Sequence, residues 1–483
     1  MKPFVPSLLL SGVLFALPSD YAQGQGRVTR EENKAVETQL TRNAGGHILT
    51  NDNVWSPDSQ WIAYDVRSDA EGATFDSETI EMVNATSGEV RRLYTASNSA
   101  KCGVVTFNPR RFQVAFILGP ENPTPDWSYG PSHRQGVMVD AAHPDKAINL
   151  DARDLTAPLT PGALRGGSHV HIWNHDGRWL SFTYNDALLG QFTEETSDHD
   201  TDVRNVGVSA PQNEITVAPD NPRNHDGTLF SVLATRTTAR PRPGSDDIQR
   251  AFEEGWVGAN GYKRPDGTSQ KHALAFQGEV LTAEGKPISE VFIADLPEDL
   301  THASPDGPLE GTPTRRPLPP LGTQQRRLTH TENRPFPGIQ GPRHWLRCSP
   351  NGEQIAFLMR DDAGIVQIWT VSPNGGAPRQ ITRDSWSVAS TFTWSGNSRF
   401  IAYVADNSVF VVEVSTGQSV RLTPRSEDAN APLALACVFS PNGKKIAFLR
   451  RVPVSTEPDA PRFNQIFIVT LPQSLLRGNT TPL

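Results

Sequence analysis

The densest group of chemically active side chains in the chain is a pair of histidines that follows two glycines. The segment reads Gly166-Gly167-Ser168-His169-Val170-His171. On a strand, residues two apart face the same side, so His169 and His171 are expected to project together. Two imidazoles on one side suit a divalent metal ion (Mn²⁺, Ca²⁺ or Zn²⁺), or a base and a charge-neutralising group acting on one acidic group. The structural alternative is that one ring packs in the fold and the other caps a turn.

Other polar residues lie in loops that precede or follow comparable strands. If these loops emerge at one end of the fold, their side chains are expected to approach the histidine pair. Singly, each residue is more often a surface or capping group, so their convergence carries the prediction. The residues concerned are His47, His133, Tyr184, Arg204, Arg343 and His344.

A phrase that recurs seven times predicts the elements that position these residues. It consists of an apolar or aromatic residue, an approximate Ser-Pro-Asp/Asn-Gly turn, and an apolar-Ala-aromatic strand. Proline sets φ for the turn and Asp/Asn-Gly supplies its left-handed position, so each copy is a strand, a tight turn and a second strand. The clear copies are Val54–Tyr64, Cys348–Phe357, Thr393–Tyr403 and Val438–Phe448; the looser ones are Thr106–Phe116, Ile172–Phe182 and a degenerate copy near Thr216–Leu233. Such repetition predicts an all-β fold, a seven-bladed β-propeller.

The first copy is preceded by a strand that has no blade ahead of it. Several blades end in a Leu/Ile-Thr phrase, and Gln39-Leu40-Thr41 repeats that phrase before the first blade. We interpret it as the strand that closes the ring beside Gln465–Thr470, since closure removes exposed sheet edges. The alternative is a separate edge strand.

Between about residues 237 and 325 the repeat is lost. Ser245 followed by two acids and, later, Gly255 predicts a short capped helix. The proline-rich stretch 297–325 predicts a surface loop. The fold class is therefore a propeller with a helix-bearing insertion, and the insertion is a candidate wall for a substrate groove. His272–Phe276 and Val291–Leu296 are expected to be strands of the interrupted blade.

Composition and the N-terminal sequence limit the classes of function that the protein can have. The formal charge is −8 over 483 residues, which gives no support to nucleic-acid binding. Residues 1–22 resemble a signal peptide with Ala22 before the cleavage point. The remaining residues, 23–483, are expected to form one monomeric domain, secreted or periplasmic, with no membrane span. Three cysteines favour buried thiols, with one disulfide or a zinc site as alternatives.

Six phrases resemble an uncharacterised family of TolB-like propellers from enteric and marine bacteria, over about residues 47–449. They are GPENP (119–123), TPGALRGGSHVH (160–171), FTYND (182–186), RNVGV (204–208), PGSDDIQRAFEEGWVG (243–258) and PRHWLRCSPNG (342–352). That family is similar in fold to the propeller polysaccharide lyases, the oligogalacturonate lyases and the ulvan lyases. The resemblance implies that His169 and His171 are metal ligands.

The same resemblance implies a catalytic set of His133, His171, Tyr184 and Arg204, although the second histidine of the ulvan-lyase pattern has no match in this chain. The substrate-binding candidates are His47, Arg165, Trp256, Arg343 and His344. The implied reaction is β-elimination on an acidic polysaccharide or oligosaccharide, with no organic cofactor. The alternative is a non-catalytic periplasmic propeller that binds protein or glycan partners.

Overall fold

The computed structural model describes residues 35–69, 72, 74–457 and 459–476. The expected signal peptide, residues 1–22, lies outside this range. Seven four-stranded antiparallel sheets follow one another along the described chain, and the predicted seven-bladed propeller is confirmed.

The strands are numbered along the chain, and the seven sheets are numbered as blades I to VII. The first strand is β1 (Val36–Gln39), which belongs to blade VII. Blade I contains β2 (Gly46–Ile48), β3 (Trp61–Arg67), β4 (Thr79–Asn84) and β5 (Val90–Thr95). Blade II contains β6 (Cys102–Phe107), β7 (Gln113–Leu118), β8 (Gln135–Asp140) and β9 (Ile148–Asn149). A short parallel pair follows, β10 (Ala152–Arg153) and β11 (Ala163–Leu164).

Blade III contains β12 (Gly166–Trp173), β13 (Leu180–Asp186), β14 (Asn205–Ala210) and β15 (Phe230–Leu233). Blade IV contains β16 (Arg250–Trp256), β19 (His272–Leu281), β20 (Pro287–Leu296) and β21 (Gln324–Arg327), with the small hairpin β17 (Tyr262–Lys263) and β18 (Ser269–Gln270) between its first two strands.

Blade V contains β22 (Arg347–Cys348), β23 (Ile355–Arg360), β24 (Val366–Val371) and β25 (Arg379–Gln380). Blade VI contains β26 (Thr393–Trp394), β27 (Phe400–Ala405), β28 (Ser408–Glu413) and β29 (Gln418–Arg421). Blade VII contains β30 (Pro432–Phe439), β31 (Lys445–Pro453) and β32 (Arg462–Thr470). The helical segments are two short 3₁₀ turns, Leu189–Gln191 and Asp428–Asn430, and the helix α1 (Gln473–Leu476).

The ring is closed by the N-terminal strand, as predicted. β1 pairs antiparallel with β32, Gln39 opposite Phe467, and the Leu40 amide donates to the Ile466 carbonyl at 2.8 Å. Glu37 forms an ion pair with Arg450 of β31 at 2.8 Å. The two ends of the chain therefore share one blade.

The recurring turn is held by its first polar residue. In blade I the Ser56 hydroxyl accepts a hydrogen bond from the Trp61 amide at 2.9 Å, and the same bond joins Gln354 to Ser349 and Phe400 to Ser395. This side-chain bond fixes the turn that aligns each inner strand with the next.

The segment between residues 237 and 325 is a blade, and the expected helix is wrong. Residues Arg250–Trp256 are β16, the first strand of blade IV. The Ser245 hydroxyl accepts from the Asp247 amide at 3.1 Å and donates to the Arg242 carbonyl, so it closes a tight turn. A polar turn followed by a strand mimics the cap of a helix in sequence.

The expected strands β19 and β20 of this blade are confirmed, and no regular helix or strand lies between β20 and β21. The degenerate phrase near Thr216–Leu233 is not an inner hairpin, because its last residues form β15, the outer strand of blade III. The seventh hairpin is instead β16 with β19.

Apolar side chains fill the spaces between neighbouring blades. One such cluster joins blades III and IV through Val206, Phe230, Phe276 and Phe292. The three cysteines are free thiols. Cys102 and Cys437 are buried, as expected, whereas Cys348 is only half-buried. None of the helices in the described part of the chain is long and apolar enough to cross a membrane.

Candidate functional site

Three neighbouring inner strands, β6, β12 and β16, carry a bulge at matched positions. At each bulge a residue other than glycine adopts a positive φ: Val104 (59°), Val170 (58°) and Glu253 (55°). This conformation is rare for a β-branched valine. Bulges re-aim side chains, and backbone strain of this kind concentrates at functional sites. The common end of blades II to IV is therefore a candidate functional site.

The bulge in β12 separates the histidine pair. His169 pairs with Thr183 and Ile172 pairs with Ser181, so Val170 and His171 together oppose Phe182. The expectation that His169 and His171 face the same way is therefore wrong. An extra residue in a strand reverses the facing of every residue after it.

His171 occupies a structural position. Its side chain is buried, and its Nε2 lies 3.0 Å from the Ser168 hydroxyl. The ring packs near Phe182, at 6.1 Å between centroids. Burial lowers the pKa of His171 to about 3, so the ring is neutral at pH 7. It serves blade packing and does not face the cluster described next.

His169 lies within range of the charges of three arginines. Burial lowers the pKa of His169 well below its ordinary value, and the charges of Arg134, Arg204 and Arg343 lower it further. The residue as a whole is half-buried, and its buried Nδ1 has no hydrogen-bond partner among the described residues. We call His169 with Arg134, Arg204 and Arg343 the mouth cluster. It presents a neutral imidazole with an unused nitrogen beside three cations.

The three arginines reach the mouth cluster from different parts of the ring. Arg134 ends the loop between β7 and β8, Arg204 directly precedes β14, and Arg343 lies in the connection from β21 to β22. Of the residues predicted to converge, Arg204 and Arg343 are those whose charges act on His169. Arg134 directly follows His133, in the aromatic-rich stretch that contains Trp127 and Tyr129.

The arginines are incompletely neutralised. Arg343 donates to Glu253 Oε1 at 2.8 Å and lies over the Trp345 ring at 4.6 Å. Arg204 Nε is buried without a partner among the described residues, and its pKa is lowered by burial and then by the charges of Arg343 and Arg134. Mutual repulsion of this kind is offset when an anion binds. The mouth cluster is therefore a candidate anion-binding site in an acidic protein.

A buried carboxyl group, Glu254, lies close to the same cluster. Burial raises the pKa of Glu254 to about 7, and the charges of Arg204 and Arg347 act against that rise. The Thr183 hydroxyl donates to Glu254 Oε2 at 3.5 Å, whereas Oε1 has no partner within the described chain. Glu253 and Glu254 were missed because the segment was interpreted as a helix.

The aromatic loop before Arg134 supplies a tyrosine to the cluster. Tyr129 is hydrogen-bonded to Arg134, whose guanidinium lies 5.1 Å from the tyrosine ring centroid. Its other contact is a stack on Phe75 at 4.4 Å. Burial raises the pKa of Tyr129, which keeps the phenol protonated at neutral pH. Tyr129 therefore places a protonated phenol beside Arg134.

His133 does not join the mouth cluster. Its ring stacks on Trp127 at 3.8 Å, and its Nδ1 lies 2.8 Å from the Ser128 carbonyl oxygen. The charges that act on it are those of Arg153 and Arg223, on the other side of the loop. The expected catalytic place of His133 is therefore corrected.

Tyr184 and Arg165 also lie away from the site, inside blade III. The Tyr184 hydroxyl donates to Asp186 Oδ2 at 3.2 Å, and Arg165 Nε donates to the same oxygen at 2.7 Å. Arg165 Nη2 donates to the Arg315 carbonyl at 2.7 Å, which ties the blade to the loop before β21. Both side chains are fully buried, so a catalytic Tyr184 and a substrate-binding Arg165 are wrong.

The remaining substrate-binding candidates are structural as well. His47 is buried, with its Nδ1 2.8 Å from the Asn464 carbonyl, and helps to join blades VII and I. His344 accepts the Leu358 amide at 3.1 Å and is buried beneath blade V. Trp256 donates to the Ile172 carbonyl at 2.9 Å. Trp256 also lines a separate cavity of about 360 Å³, formed by the turns of the inner hairpins.

The fold defines the class of the protein, the seven-bladed β-propellers. An oligogalacturonate lyase in complex with manganese superimposes with a TM-score of 0.52 at 11% identity, over 92% of this chain and 99% of that chain. The enzyme from Vibrio parahaemolyticus gives a TM-score of 0.50 at 11% identity, over 91% and 94%. TolB from Acinetobacter baumannii gives 0.31 at 13% identity, over 89% and 64%. These likenesses concern the fold.

The chain belongs to the family of YidR, an uncharacterised protein of Escherichia coli K12. The two are 47% identical over 414 residues, 85% of this chain and 94% of YidR. Residues 101–225 match the family model described as a protein of unknown function, DUF3748. The resemblance inferred from the six phrases is thereby confirmed.

The predicted metal site is not supported by the positions of the two histidines. His169 and His171 face opposite sides of β12. Within the described residues, no group of three or more His, Cys, Asp or Glu side chains is placed to hold a metal ion. The expected metal site at His169 and His171 therefore does not fit the geometry.

Proposed function

We propose that the protein is a secreted lyase that cleaves uronic-acid-containing polysaccharide by β-elimination. The observation that carries the proposal is the mouth cluster, in which a neutral histidine with an unused nitrogen stands beside three arginines. A uronate sugar offers a carboxylate and, next to it, an acidic C5 proton. The cluster supplies a partner for each.

The arginines act on the carboxylate. Arg134, Arg204 and Arg343 come from three loops and repel one another in the free protein. The C6 carboxylate of the sugar offsets that repulsion, and the charge that develops on it in the transition state is stabilised more strongly still. The same three arginines therefore bind the C6 carboxylate and make the C5 proton more acidic.

His169 is the base. Its imidazole is uncharged because it is buried beside cations. A bound carboxylate raises its pKa again, since a nearby negative charge favours the protonated form. The imidazole takes the C5 proton, the C5–H electron pair becomes the C4–C5 double bond, and the C4–O4 bond breaks. Histidine is the side chain best suited to this transfer near neutral pH.

Tyr129 protonates the leaving oxygen O4. Its phenol is kept protonated by burial and is positioned by the hydrogen bond with Arg134. The proton passes from the phenol to O4 as the bond to C4 breaks. The products are a chain with a free hydroxyl and a chain that ends in an unsaturated sugar.

A screen of uronate polymers tests the proposal. The protein is incubated with polymers of galacturonate, glucuronate and mannuronate, and the ultraviolet absorbance of C4–C5 unsaturated ends is followed. Lyase action raises this absorbance in step with new reducing ends. New reducing ends without absorbance would indicate hydrolysis and overturn the proposal. Binding without either change would favour the non-catalytic propeller.

A further inference from the structure

A second cavity lies on the outer part of blade II, apart from the mouth cluster. Its volume is about 790 Å³. We call it the blade II cleft and define it by Trp127, Gln135, Arg153, Arg223 and His225, which line it. The loop 119–134 forms one wall, and the loop between β14 and β15 forms another. Neither the proposed reaction nor the blade packing uses these side chains together.

Two nitrogen atoms in the wall of the blade II cleft are buried and unused. Trp127 Nε1 and His225 Nε2 have no hydrogen-bond partner among the described residues. An indole nitrogen can only donate, and a buried donor without an acceptor costs about 1–3 kcal/mol. The indole N–H therefore indicates a ligand group that accepts hydrogen bonds, whereas His225 Nε2 is an acceptor, because the neutral ring donates through Nδ1 to the Asp226 carbonyl.

The charge in the inner part of the cleft is positive. The guanidinium carbons of Arg153 and Arg223 lie 5.5 Å and 5.8 Å from the Trp127 ring centroid. Their hydrogen bonds go to main-chain carbonyls, from Arg153 to Gly166 at 3.2 Å and from Arg223 to Glu121 at 2.7 Å. Neither arginine has an ion pair within 4.0 Å among the described residues, although the buried carboxyl of Asp151 interacts with Arg153 at longer range.

The acidic residues of the cleft are already engaged. Glu121 accepts from the Ser97 hydroxyl at 2.9 Å, and Asp145 accepts from the Thr95 amide at 3.1 Å. Asp145 is also paired with Arg92 at 4.0 Å, and the donors left for an incoming group are the two arginines and the Trp127 indole N–H. Carboxylate and sulfate oxygens are the acceptors that such donors prefer.

The loop 119–134 connects the cleft with the mouth cluster. It places Trp127 in the cleft, and Tyr129 and Arg134 at the mouth. Arg153 donates through Nη2 to the main-chain carbonyl of Arg134. The loop rests directly on β12, because a Cβ atom on Gly167 would lie 2.2 Å from the Pro131 carbonyl oxygen. A ligand that crosses this loop touches both sites.

We propose that the blade II cleft binds a second oxyanion group, a carboxylate or a sulfate, of the acidic oligosaccharide whose reacting sugar occupies the mouth cluster. This inference rests on the proposed function and extends it, since it assigns a substrate with at least two anionic groups on different sugars. Arg223 and the Trp127 indole N–H hold the second group. Arg153 joins its position to that of Arg134.

Calorimetric titration of three ligands tests the inference. The ligands are a galacturonate tetrasaccharide, its methyl ester and a sulfated neutral tetrasaccharide, each measured with the wild-type protein and three variants. Arg223→Gln should raise the Kd of the anionic ligand about 10-fold, the usual effect of one charge-assisted hydrogen bond. Trp127→Phe keeps the stack on His133 and removes only the unused N–H, so it should weaken binding without lowering Tm by more than a few degrees. Arg425→Gln on blade VI is the control, since Arg425 is an exposed arginine paired with Asp406.

The possible outcomes test the binding role of the blade II cleft and the lyase reaction separately. A preference for the uronate over the sulfated ligand assigns a carboxylate, and the reverse assigns a sulfate. Binding that depends on Arg223 in a protein that cleaves no polymer upholds the cleft and overturns the lyase. Cleavage with unchanged Kd and KM in Arg223→Gln and Trp127→Phe upholds the lyase and overturns the cleft. Equal binding of the methyl ester and the free acid, together with no binding of the sulfated ligand, also overturns the cleft.

Discussion

His169 and His171 face opposite sides of β12, although a single residue separates them, because Val170 between them has a φ of 58° and forms a bulge. One histidine meets the arginines of the mouth cluster, and the other is buried beside Ser168. The two histidines of a motif that suggests a metal site in sequence therefore have different roles. His169 belongs to the mouth cluster, and His171 packs inside the blade.

The first prediction concerns His171. Replacing it with Ala removes a buried ring that packs against Phe182, and the free energy of unfolding should fall by about 3 kcal/mol. Turnover should stay within a few-fold, because His171 does not face the mouth cluster. Urea denaturation and the polymer assay measure the two effects. Loss of turnover at unchanged stability would place His171 in the site after all.

The second prediction concerns Arg204, which is repelled by Arg134 and Arg343 in the free protein. Arg204→Gln relieves this repulsion, so Tm should stay equal or rise while turnover falls about 10²- to 10³-fold. Thermal denaturation with and without added sulfate measures the electrostatic part. Sulfate should stabilise the wild-type protein more than the variant. A variant that is less stable yet fully active would show that Arg204 is structural.

The third prediction separates two tyrosines. Tyr129→Phe should lower turnover by two orders of magnitude or more, as is typical of a lost acid–base group. Tyr184→Phe should leave turnover unchanged and cost about 1 kcal/mol of stability, because its hydroxyl donates to the buried Asp186. The two substitutions remove the same atom, so each is the control of the other. The opposite pattern would return the catalytic role to Tyr184.

The fourth prediction concerns acid stability. Burial lowers the pKa of His344 to about 4, while in the unfolded chain it has its ordinary value of about 6.5. Its contribution is therefore present above pH ~6.5 and is lost as the pH falls toward 4, about 2 kcal/mol by pH 5. His344→Gln should flatten the fall in stability between pH 7 and pH 5.

The control for this titration is His143→Gln, whose side chain is 80% exposed. That variant should follow the wild-type pH dependence. Asp151, whose buried carboxyl has a pKa raised to about 6, gives an opposite slope in every variant and cancels from the difference. An unchanged slope in His344→Gln would contradict the assignment.

The architecture was accessible from the sequence because each blade repeats a local signal. The turn phrase fixes its own hydrogen bonds, as in Ser56 with the Trp61 amide, so it can be recognised without knowledge of the neighbours. Ring closure could be predicted because the strand phrase at Leu40 has no blade ahead of it in the sequence. In the structure this strand pairs with β32. Blade IV was misread because Ser245, two acids and Gly255 satisfy the pattern of a helix cap as well as that of a turn before a strand.

The site was only partly accessible. Arg204 and Arg343 could be expected at one end of the ring, since loops into inner strands emerge together. The bulges at Val104, Val170 and Glu253 could not, because valine and glutamate give no sequence signal for a positive φ. Because the bulge in β12 cannot be recognised in the sequence, the sequence does not show whether His169 lies near Arg134 or on the same side of the strand as His171.

The most direct test of His169 as the base is chemical rescue of His169→Ala by imidazole. The measured quantity is the rate at which unsaturated ends form on a uronate polymer that the wild-type protein cleaves. The variant should lose turnover by at least two orders of magnitude, keep its Tm within a few degrees, and regain turnover as free imidazole is added. Tyr129→Phe, tested in parallel, should show no such rescue. Near-wild-type turnover of His169→Ala without imidazole would contradict the claim that His169 removes the C5 proton.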